Sequence, residues 1–215
     1  MAIVNRTPDS FYDKGRAYEL GAAMERVHDV VAAGADLVDI GGVKAAPGPD
    51  VPAVEEIRRT TELIAATRAA YPDLVISVDT FRHEVADAAC EAGADLINDP
   101  WGGGDRKLLE VAADRGAALV CTHAGGLPPR TRPHRVPYAD MMADILDRTL
   151  ELAELAVAAG VERDRILVDP GHDFGKNTRH SLEATGRLGE LVATGWPVLV
   201  SLSNKDFVGE TLDLP

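Results

Sequence analysis

Short apolar runs alternate with longer amphipathic stretches along the chain of 215 residues. The apolar runs are rich in Val, Ile and Leu without strict alternation, which is typical of strands buried on both faces of a parallel sheet. The pattern predicts seven β-strands, at residues 2–5, 36–40, 74–79, 95–98, 117–122, 165–169 and 197–202.

The stretches between these runs have helical spacing, as in Met141, Ile145, Leu146 and Leu150. They predict helices at residues 19–33, 52–70, 82–92, 105–115, 138–159 and 178–193. A glycine closely follows most of these helices, where it is expected to end the helix in the left-handed conformation. These glycines are Gly34, Gly93, Gly116, Gly160 and Gly195.

Alternating strands and helices define an α/β protein, for which two architectures compete: an open doubly wound sheet and a (β/α)8 TIM barrel. Nearly every predicted strand ends in a polar or Gly-rich cluster. A barrel brings all these ends to one face, whereas an open sheet needs such clusters only near its switch point. The distribution of polar residues therefore favours the barrel.

The number of strands falls one short of a complete barrel, which has eight strands and typically about 250 residues. The chain supplies seven strand-like runs and stops at Pro215. We therefore expect a (β/α)8 TIM barrel truncated after its seventh strand. Residues 1–215 would form a single domain without an eighth strand and helix.

Charge and composition narrow the choice of partners and compartment. The formal net charge of −13 argues against a nucleic-acid partner. No run reaches the ~18 apolar residues of a membrane span, and no secretion signal is visible, so we expect a cytoplasmic protein without a membrane partner. Cys90 and Cys121 show no metal-ligand spacing and are expected to be reduced, buried side chains.

Three polar residues, Asp79, Asn98 and Asp169, each end a predicted strand, so a barrel would point them into one pocket. Two acceptors and an amide that both donates and accepts match a flat heterocycle with an aminopyrimidinone edge. Lys205, after the seventh strand, would supply a cation for the ligand. The alternative for each acidic residue is a cap on the following helix, and for Lys205 a solvated surface position.

Two further constellations raise the question of a metal. The loop after the first strand is suited to bind phosphate oxygens or Mg²⁺ through Asn5 and Asp9, with an ordinary turn as the alternative. His123, His172 and Asp173 suggest a rival interpretation, a barrel hydrolase that holds Zn²⁺. The first strand carries no His pair, which speaks against the hydrolase.

Six segments resemble the dihydropteroate synthase family of pterin-binding barrels in order and spacing. They are IVNRTPDSFYDKG at 3–15, GADLVDIGG at 34–42, ISVDTFRHEVADAACEAGADLINDPWG at 76–102, VCTHAGG at 120–126, ILVDPGHDFGKN at 166–177 and PVLVSLSNKDFVGE at 197–210. The resemblance implies a TIM barrel and an enzyme of folate biosynthesis. In such enzymes p-aminobenzoate displaces pyrophosphate from 6-hydroxymethyl-7,8-dihydropterin pyrophosphate.

The resemblance also implies a role for each polar residue of the pterin half of the site. Asp79, Asn98, Asp169 and Lys205 match the pterin-binding positions of the family. Asp79, Asp169 and Lys205 would also be catalytic, since the two carboxylates stabilise a cationic pterin after pyrophosphate has left.

The other half of the site would hold the metal, the pyrophosphate and the amine. Asn5 matches the position that meets Mg²⁺ and pyrophosphate in the family. Phe174 and Ser203 fall in the loops on the p-aminobenzoate side and are the remaining substrate-binding candidates. Homodimerisation is a further expectation from the family.

The same half of the site departs from the family pattern. The usual Gly-Gly-Glu-Ser-Thr-Arg-Pro-Gly reads GGVKAAPG at 41–48, so Ala45 and Ala46 replace a hydroxyl and a guanidinium that handle pyrophosphate. Lys44 or Arg6 would be substitute point charges. The usual Ser-Arg-Lys-Ser reads SNKD at 203–206, where Asp206 adds an anion at the place of the benzoate.

These observations predict a dihydropteroate synthase-like transferase that uses Mg²⁺ and condenses the pterin pyrophosphate with p-aminobenzoate or a related amine. The alternative is a non-catalytic or weakly active pterin-binding paralogue with an altered pyrophosphate and p-aminobenzoate site. A corrinoid-linked methyltransferase on the same barrel is disfavoured by the loop at residues 7–11.

Overall fold

The computed structural model describes residues 1–7, 19–131 and 136–214. Within them, six parallel strands form one sheet in which each strand pairs with the next along the chain. The strands are β1 (Ala2–Asn5), β2 (Leu37–Gly41), β3 (Val75–Asp79), β4 (Leu96–Asp99), β5 (Ala118–Thr122) and β6 (Ile166–Asp169).

Helices follow the strands and pack side by side along one face of the sheet, each against its sequence neighbour from α1 to α6. Sequential, all-parallel pairing with a helix after each strand is the topology of a TIM-barrel wall, as predicted. The helices are α1 (Leu20–Ala32), α2 (Ala53–Ala70), α3 (His83–Ala92), α4 (Lys107–Arg115), α5 (Met141–Ala159), α6 (Thr178–Gly186), α7 (Leu188–Val192) and α8 (Asp206–Leu212).

The hydrophobic core lies between the sheet and the helices. Ile40 and Ile76 on the strands and Leu63 and Ile64 on α2 are fully buried and belong to one apolar cluster. The helix-facing side of the strands thus buries the Ile and Val side chains, while Asp39 and Asp79 lie on the opposite side. Over the part of the chain that the structure describes, no helix is both long and apolar enough to cross a bilayer.

The predicted regular strand at residues 197–202 is wrong. The segment makes a single parallel bridge, between Val198 and Val168. Two backbone hydrogen bonds of 2.9 Å hold it to β6. Among the described residues no strand pairs with its outer edge, so half of the hydrogen bonds of a barrel strand are not formed, and Val200 and Leu202 are exposed.

Two helix predictions also need correction. The stretch 178–193 is two helices rather than one, because α6 ends before Arg187, which leaves the helical region with φ −104° and ψ 13°. The segment after residue 205, which had no predicted helix, forms α8. The other helix and strand boundaries agree with the prediction to within one to three residues.

Glycines end the helices as the sequence predicts. Gly34, Gly93, Gly116, Gly160 and Gly195 all have positive φ angles. At Gly93, with φ 115°, the peptide N–H groups of Gly93 and Ala94 donate to the carbonyls of Cys90 and Ala89. This closes the last turn of α3 and directs the chain into β4.

We predict that Gly34→Ala destabilises the fold by about 1–2 kcal/mol, because Gly34 has φ 92°. No heavy atom lies within 4 Å of the position of the added Cβ, so the whole effect would be backbone strain. Thermal unfolding would show a melting temperature lower by about 2–4 °C for each kcal/mol lost.

Gly189→Ala is the matched control, since Gly189 lies inside α7 and its added Cβ also meets open space. There alanine should stabilise the protein by about 0.4–1 kcal/mol. Equal melting temperatures for the two variants would contradict the assignment of strain to Gly34.

Candidate functional site

A cavity of about 690 Å³ lies at the carboxyl ends of the strands, bounded by β1 on one side and by residues 199–205 on the other. Sites in barrel enzymes lie at this end of the sheet. The seven candidates for the pterin, p-aminobenzoate and Mg²⁺ sites line this one cavity: Asn5, Asp79, Asn98, Asp169, Phe174, Ser203 and Lys205. Asp9, the remaining metal candidate, falls in residues 8–18, outside the described part of the chain.

Strand register explains why three of these positions, Asn5, Asp79 and Asn98, meet. Asn5 pairs with Gly41, Gly41 with Asp79, and Asp79 with Asn98, so the four residues form one row across β1 to β4. A Cβ on Gly41 would lie 2.6 Å from Oδ1 of Asn5 and 3.5 Å from Oδ2 of Asp79. The missing side chain at Gly41 therefore lets the Asn5 and Asp79 side chains converge above the strand.

The Asn98 amide is oriented by Asp39, which is not among the candidates predicted from the sequence. Asp39, buried on β2, accepts hydrogen bonds from Oγ of Ser77 at 2.6 Å and from Nδ2 of Asn98 at 3.2 Å. Burial raises the pKa of Asp39, and the two hydrogen bonds oppose that shift. An aspartate in the middle of an apolar strand is rare unless it is paired, and this was the available signal.

The ionised form of Asp79 is destabilised, because the side chain lies among other acids. Burial is the main reason that its pKa is raised well above the usual value, and repulsion by Asp39, Glu56 and Asp99 adds to the effect. Lys205 acts in the opposite direction. A ligand that donates hydrogen bonds or carries positive charge would relieve this repulsion.

Asp169 and Lys205 lie on the opposite side of the cavity from the β1–β4 row. Asp169 is buried, and its Oδ1 accepts the Gly171 N–H at 2.7 Å. Burial raises the pKa of Asp169, while Lys205 and Lys176 lower it. Burial lowers the pKa of Lys205, and nearby carboxylates, first among them Asp169, raise it.

The helix-capping alternative is not what Asp79 does. The N-terminus of α3 has no side-chain cap from its N-cap residue, Arg82. Instead, the first N–H of that helix, from His83, donates to Oδ2 of Asp105 at 3.0 Å. Oδ1 of Asp169 accepts a hydrogen bond from the Gly171 N–H in the following loop, and this bond does not involve Oδ2. The Asp79 carboxylate thus contributes to the cavity rather than to a helix end.

Phe174 forms the aromatic wall of the cavity. Its ring packs edge-on against Trp101, with centroids 5.2 Å apart, and Nζ of Lys205 lies 4.3 Å from the Phe174 ring centre. Ser203 lies exposed at the rim. A flat ligand beside Phe174 would meet an aromatic face and a cation together.

The altered pyrophosphate loop also lines the cavity, through Lys44, Ala45 and Ala46. Arg6 is not a substitute for the missing guanidinium, because its Nη1 donates to Oε2 of Glu62 at 2.7 Å and to backbone carbonyls of α2. Arg26 on α1 lines the cavity as well, and no sequence pattern beyond its helical position predicts this. Among the described residues, the Lys and Arg side chains that line the cavity are therefore Arg26, Lys44 and Lys205.

His172 and Asp173 tie the loop after β6 to α8. The Asp173 carboxylate accepts the Ser181 hydroxyl at 2.9 Å and the Phe207 N–H at 3.4 Å. The His172 ring stacks on Phe207, with centroids 5.3 Å apart. These contacts hold the start of α8, next to Lys205, against the cavity wall.

The zinc-hydrolase alternative lacks its ligand cluster. His123 bonds to Asp144 and Lys176, and His172 bonds to Thr185. Among the described residues, one group of three or more His, Cys, Asp or Glu side chains converges closely enough to hold a metal ion. This group lies away from the cavity. Its members are His83, Glu84 and Asp105.

The chain matches the family of pterin-binding enzymes over residues 1–215. The inactive dihydropteroate synthase 2 of Mycobacterium leprae (strain TN) is 59% identical over 216 residues, which cover 99% of this chain and 74% of that protein.

Solved structures agree with this assignment. Clostridium difficile dihydropteroate synthase, determined in the presence of pteroic acid, superposes with a TM-score of 0.88 at 33% identity over 100% of this chain and 79% of the other. Xanthomonas albilineans dihydropteroate synthase with 4-aminobenzoic acid gives 0.88 at 38% identity over 99% and 76%. The chain therefore belongs to the family of pterin-binding enzymes and is a divergent member of its dihydropteroate synthase group.

Proposed function

We propose that the cavity binds 6-hydroxymethyl-7,8-dihydropterin pyrophosphate and transfers its pterin methylene group to p-aminobenzoate or a related amine. The observation that carries the proposal is the convergence of Asp79, Asn98, Asp169 and Lys205 in one cavity at the strand ends. Solved relatives bound to pteroic acid and to 4-aminobenzoic acid support both halves of the ligand.

Pterin recognition follows from the donors and acceptors of the cavity. Asp79 and Asp169 are acceptors for the N–H groups of the aminopyrimidinone edge. Asn98 uses one amide hydrogen on Asp39, which leaves the other hydrogen and the amide oxygen for the ligand. The Lys205 ammonium is the donor for a ring nitrogen or carbonyl oxygen of the pterin.

The transfer step uses the same groups. The bond between the methylene carbon and the pyrophosphate oxygen breaks, and its electron pair leaves with pyrophosphate. The amine nitrogen then forms the new bond to that carbon and loses a proton. Asp79 and Asp169 stabilise the positive charge that develops on the pterin, and such electrostatic stabilisation is the largest contribution that a preorganised site makes.

Asn5 fits a Mg²⁺ ion that accompanies the pyrophosphate. Its side-chain oxygen is exposed beside Gly41 at the cavity, and Mg²⁺ commonly takes one or two protein oxygens together with phosphate oxygens and water. The ion, when bound, supplies charge stabilisation for the departing pyrophosphate. Asn5 would hold that ion through its side-chain carbonyl oxygen.

A second candidate function is pterin binding without catalysis. It is favoured by the loss of side-chain donors at Ala45 and Ala46, together with the engagement of Arg6 by Glu62 on α2. Losing an arginine fork removes a bidentate, charge-assisted contact to phosphate. The name of the M. leprae relative, an inactive dihydropteroate synthase 2, points in the same direction.

A transfer assay separates the two functions. We predict slow formation of dihydropteroate from the pterin pyrophosphate, p-aminobenzoate and Mg²⁺, and at least a tenfold gain, about 1.4 kcal/mol, in an Ala45→Thr, Ala46→Arg, Asp206→Ser variant. The gain is expected because the variant restores a hydroxyl and a guanidinium and removes an anion. Adding Lys205→Ala to the same variant is the control and should abolish the gain.

The outcome assigns the function. Turnover by the wild-type chain supports the transferase. Turnover only in the triple variant supports the non-catalytic pterin binder. If neither protein makes dihydropteroate while both are folded, the transferase proposal is wrong.

Asp79→Asn should raise the melting temperature of the ligand-free protein at neutral pH and abolish the stabilisation by pterin. Burial and neighbouring acids raise the folded-state pKa of Asp79, so its contribution to stability is present below its unfolded pKa and is lost as the pH rises through the folded pKa. Asparagine does not ionise and avoids this loss. Each kcal/mol regained corresponds to about 2–4 °C.

Thermal unfolding with and without the pterin, at neutral and acidic pH, measures both effects. Asp147→Asn, at an exposed position on α5, is the charge-matched control and should behave as wild type. A lower melting temperature for ligand-free Asp79→Asn at neutral pH would show that the carboxylate stabilises the fold instead.

A further inference from the structure

A second cluster of titratable side chains lies behind the cavity wall, between the loops that follow β5 and β6. Lys176 is 2% exposed, and its Nζ lies 2.6 Å from Nδ1 of His123. It also donates to the backbone carbonyls of His123 at 3.2 Å, Gly171 at 2.9 Å and Phe174 at 3.0 Å. Four acceptors surround a group with three N–H bonds, so the charged lysine is fully used.

The contact with Lys176 fixes the tautomer of His123. An ammonium group has no acceptor, so Nδ1 of His123 accepts and Nε2 carries the proton. That Nε2–H donates to Oδ2 of Asp144 at 2.7 Å, and Asp144 also accepts from Nε of Arg148 at 2.9 Å. A hydrogen-bonded chain of side chains therefore runs from the loop after β6 to the protein surface.

Two of the carbonyls that Lys176 binds, those of Gly171 and Phe174, belong to the segment that runs from Asp169 to Phe174. Gly171 follows Asp169 and donates to it, and Phe174 is the aromatic wall of the cavity. The segment is packed tightly, since a Cβ on Gly171 would lie 2.0 Å from the His123 carbonyl oxygen. Lys176 is the group that satisfies the carbonyls enclosed by this close approach.

Lys176 also acts on the cavity through its charge. Its ammonium lowers the pKa of Asp169, an effect that Lys205 shares, and so favours the ionised acid that a pterin N–H requires. Burial lowers the pKa of Lys176 itself to about 7. The charged groups that face it are Asp169 on β6, Asp144 on α5, and Asp173 and Lys205 in the adjoining loops, in addition to neutral His123.

We propose that Lys176 is a positioning residue of the pterin site, whose ammonium holds the Gly171 and Phe174 carbonyls against His123 and so fixes the segment between Asp169 and Phe174. The proposal rests on the proposed function and adds a pH dependence to it. Deprotonation of Lys176 removes one N–H and the positive charge, so the segment 171–174 loosens and Asp169 loses a counter-charge. Pterin affinity should then fall on the alkaline side as well as on the acid side.

Calorimetric titration with 6-hydroxymethyl-7,8-dihydropterin, over a pH range that brackets the pKa of about 7 of Lys176, tests the proposal. Wild type should show a bell-shaped dependence of affinity on pH. Lys176→Met should bind at least about tenfold more weakly at neutral pH, because the Gly171 and Phe174 carbonyls lose their charged donor. Its acid limb should move to higher pH, and its alkaline limb should disappear.

Two further variants complete the experiment. Lys107→Met, at an exposed position on α4, removes the same charge and should keep the wild-type profile; titration of the ligand itself is common to all the proteins. Asp144→Asn leaves the loop contacts in place but removes a carboxylate that raises the pKa of Lys176. In that variant the alkaline limb should move to lower pH, which remains measurable if Lys176→Met does not fold.

The results distinguish the two levels of the account. A wild-type chain that binds no pterin would overturn the proposed function and this inference together. If wild type binds, a uniform loss of affinity at every pH in Lys176→Met, or an unmoved alkaline limb in Asp144→Asn, would overturn only the role of Lys176.

Discussion

Withdrawal of carboxylates from water at the strand ends is the constraint on which the rest of the site depends. Asp39, Asp79 and Asp169 all have raised pKa values, and in each case burial is the first cause. A buried carboxylate is costly unless partners compensate for it. Hydrogen bonds from Ser77 and Asn98 compensate Asp39, whereas Asp79 has acids for neighbours and depends on Lys205.

That arrangement favours ligand binding more than it favours the stability of the ligand-free fold. In the proposed reaction, a pterin would offer N–H donors to the acids and would become positively charged as pyrophosphate departs. The repulsion between the acids would then be replaced by attraction to the pterin. At Asp169 the positive charges of Lys205 and Lys176 have the corresponding effect, since both lower the pKa of that carboxyl. Ala45 and Ala46 line another part of the cavity, so a loss of phosphate donors there would leave the proposed pterin-binding groups in place.

Much of this site follows from the sequence because strand ends in a barrel share one face. Polar residues at the ends of apolar runs were enough to place Asp79, Asn98 and Asp169 together.

Other features could not be predicted from the sequence. The role of Asp39 depends on the strand register that sets it beside Ser77, and register is a tertiary property. The burial of Lys176 was not predicted, because a lysine in a polar loop is expected to be exposed. Only the packing of the loops after β5 and β6 encloses it. The strand at 197–202 failed for a related reason, since apolar composition does not supply a pairing partner.

The measurement that tests the central claim most directly compares two ligands of the wild-type chain by calorimetry in the presence of Mg²⁺: 6-hydroxymethyl-7,8-dihydropterin and its pyrophosphate. A retained pterin pocket with a weakened phosphate wall predicts that both bind at one site, with dissociation constants within about tenfold, or about 1.4 kcal/mol, of each other. Binding that requires the pyrophosphate, or no binding of either ligand by the folded chain, would contradict the account.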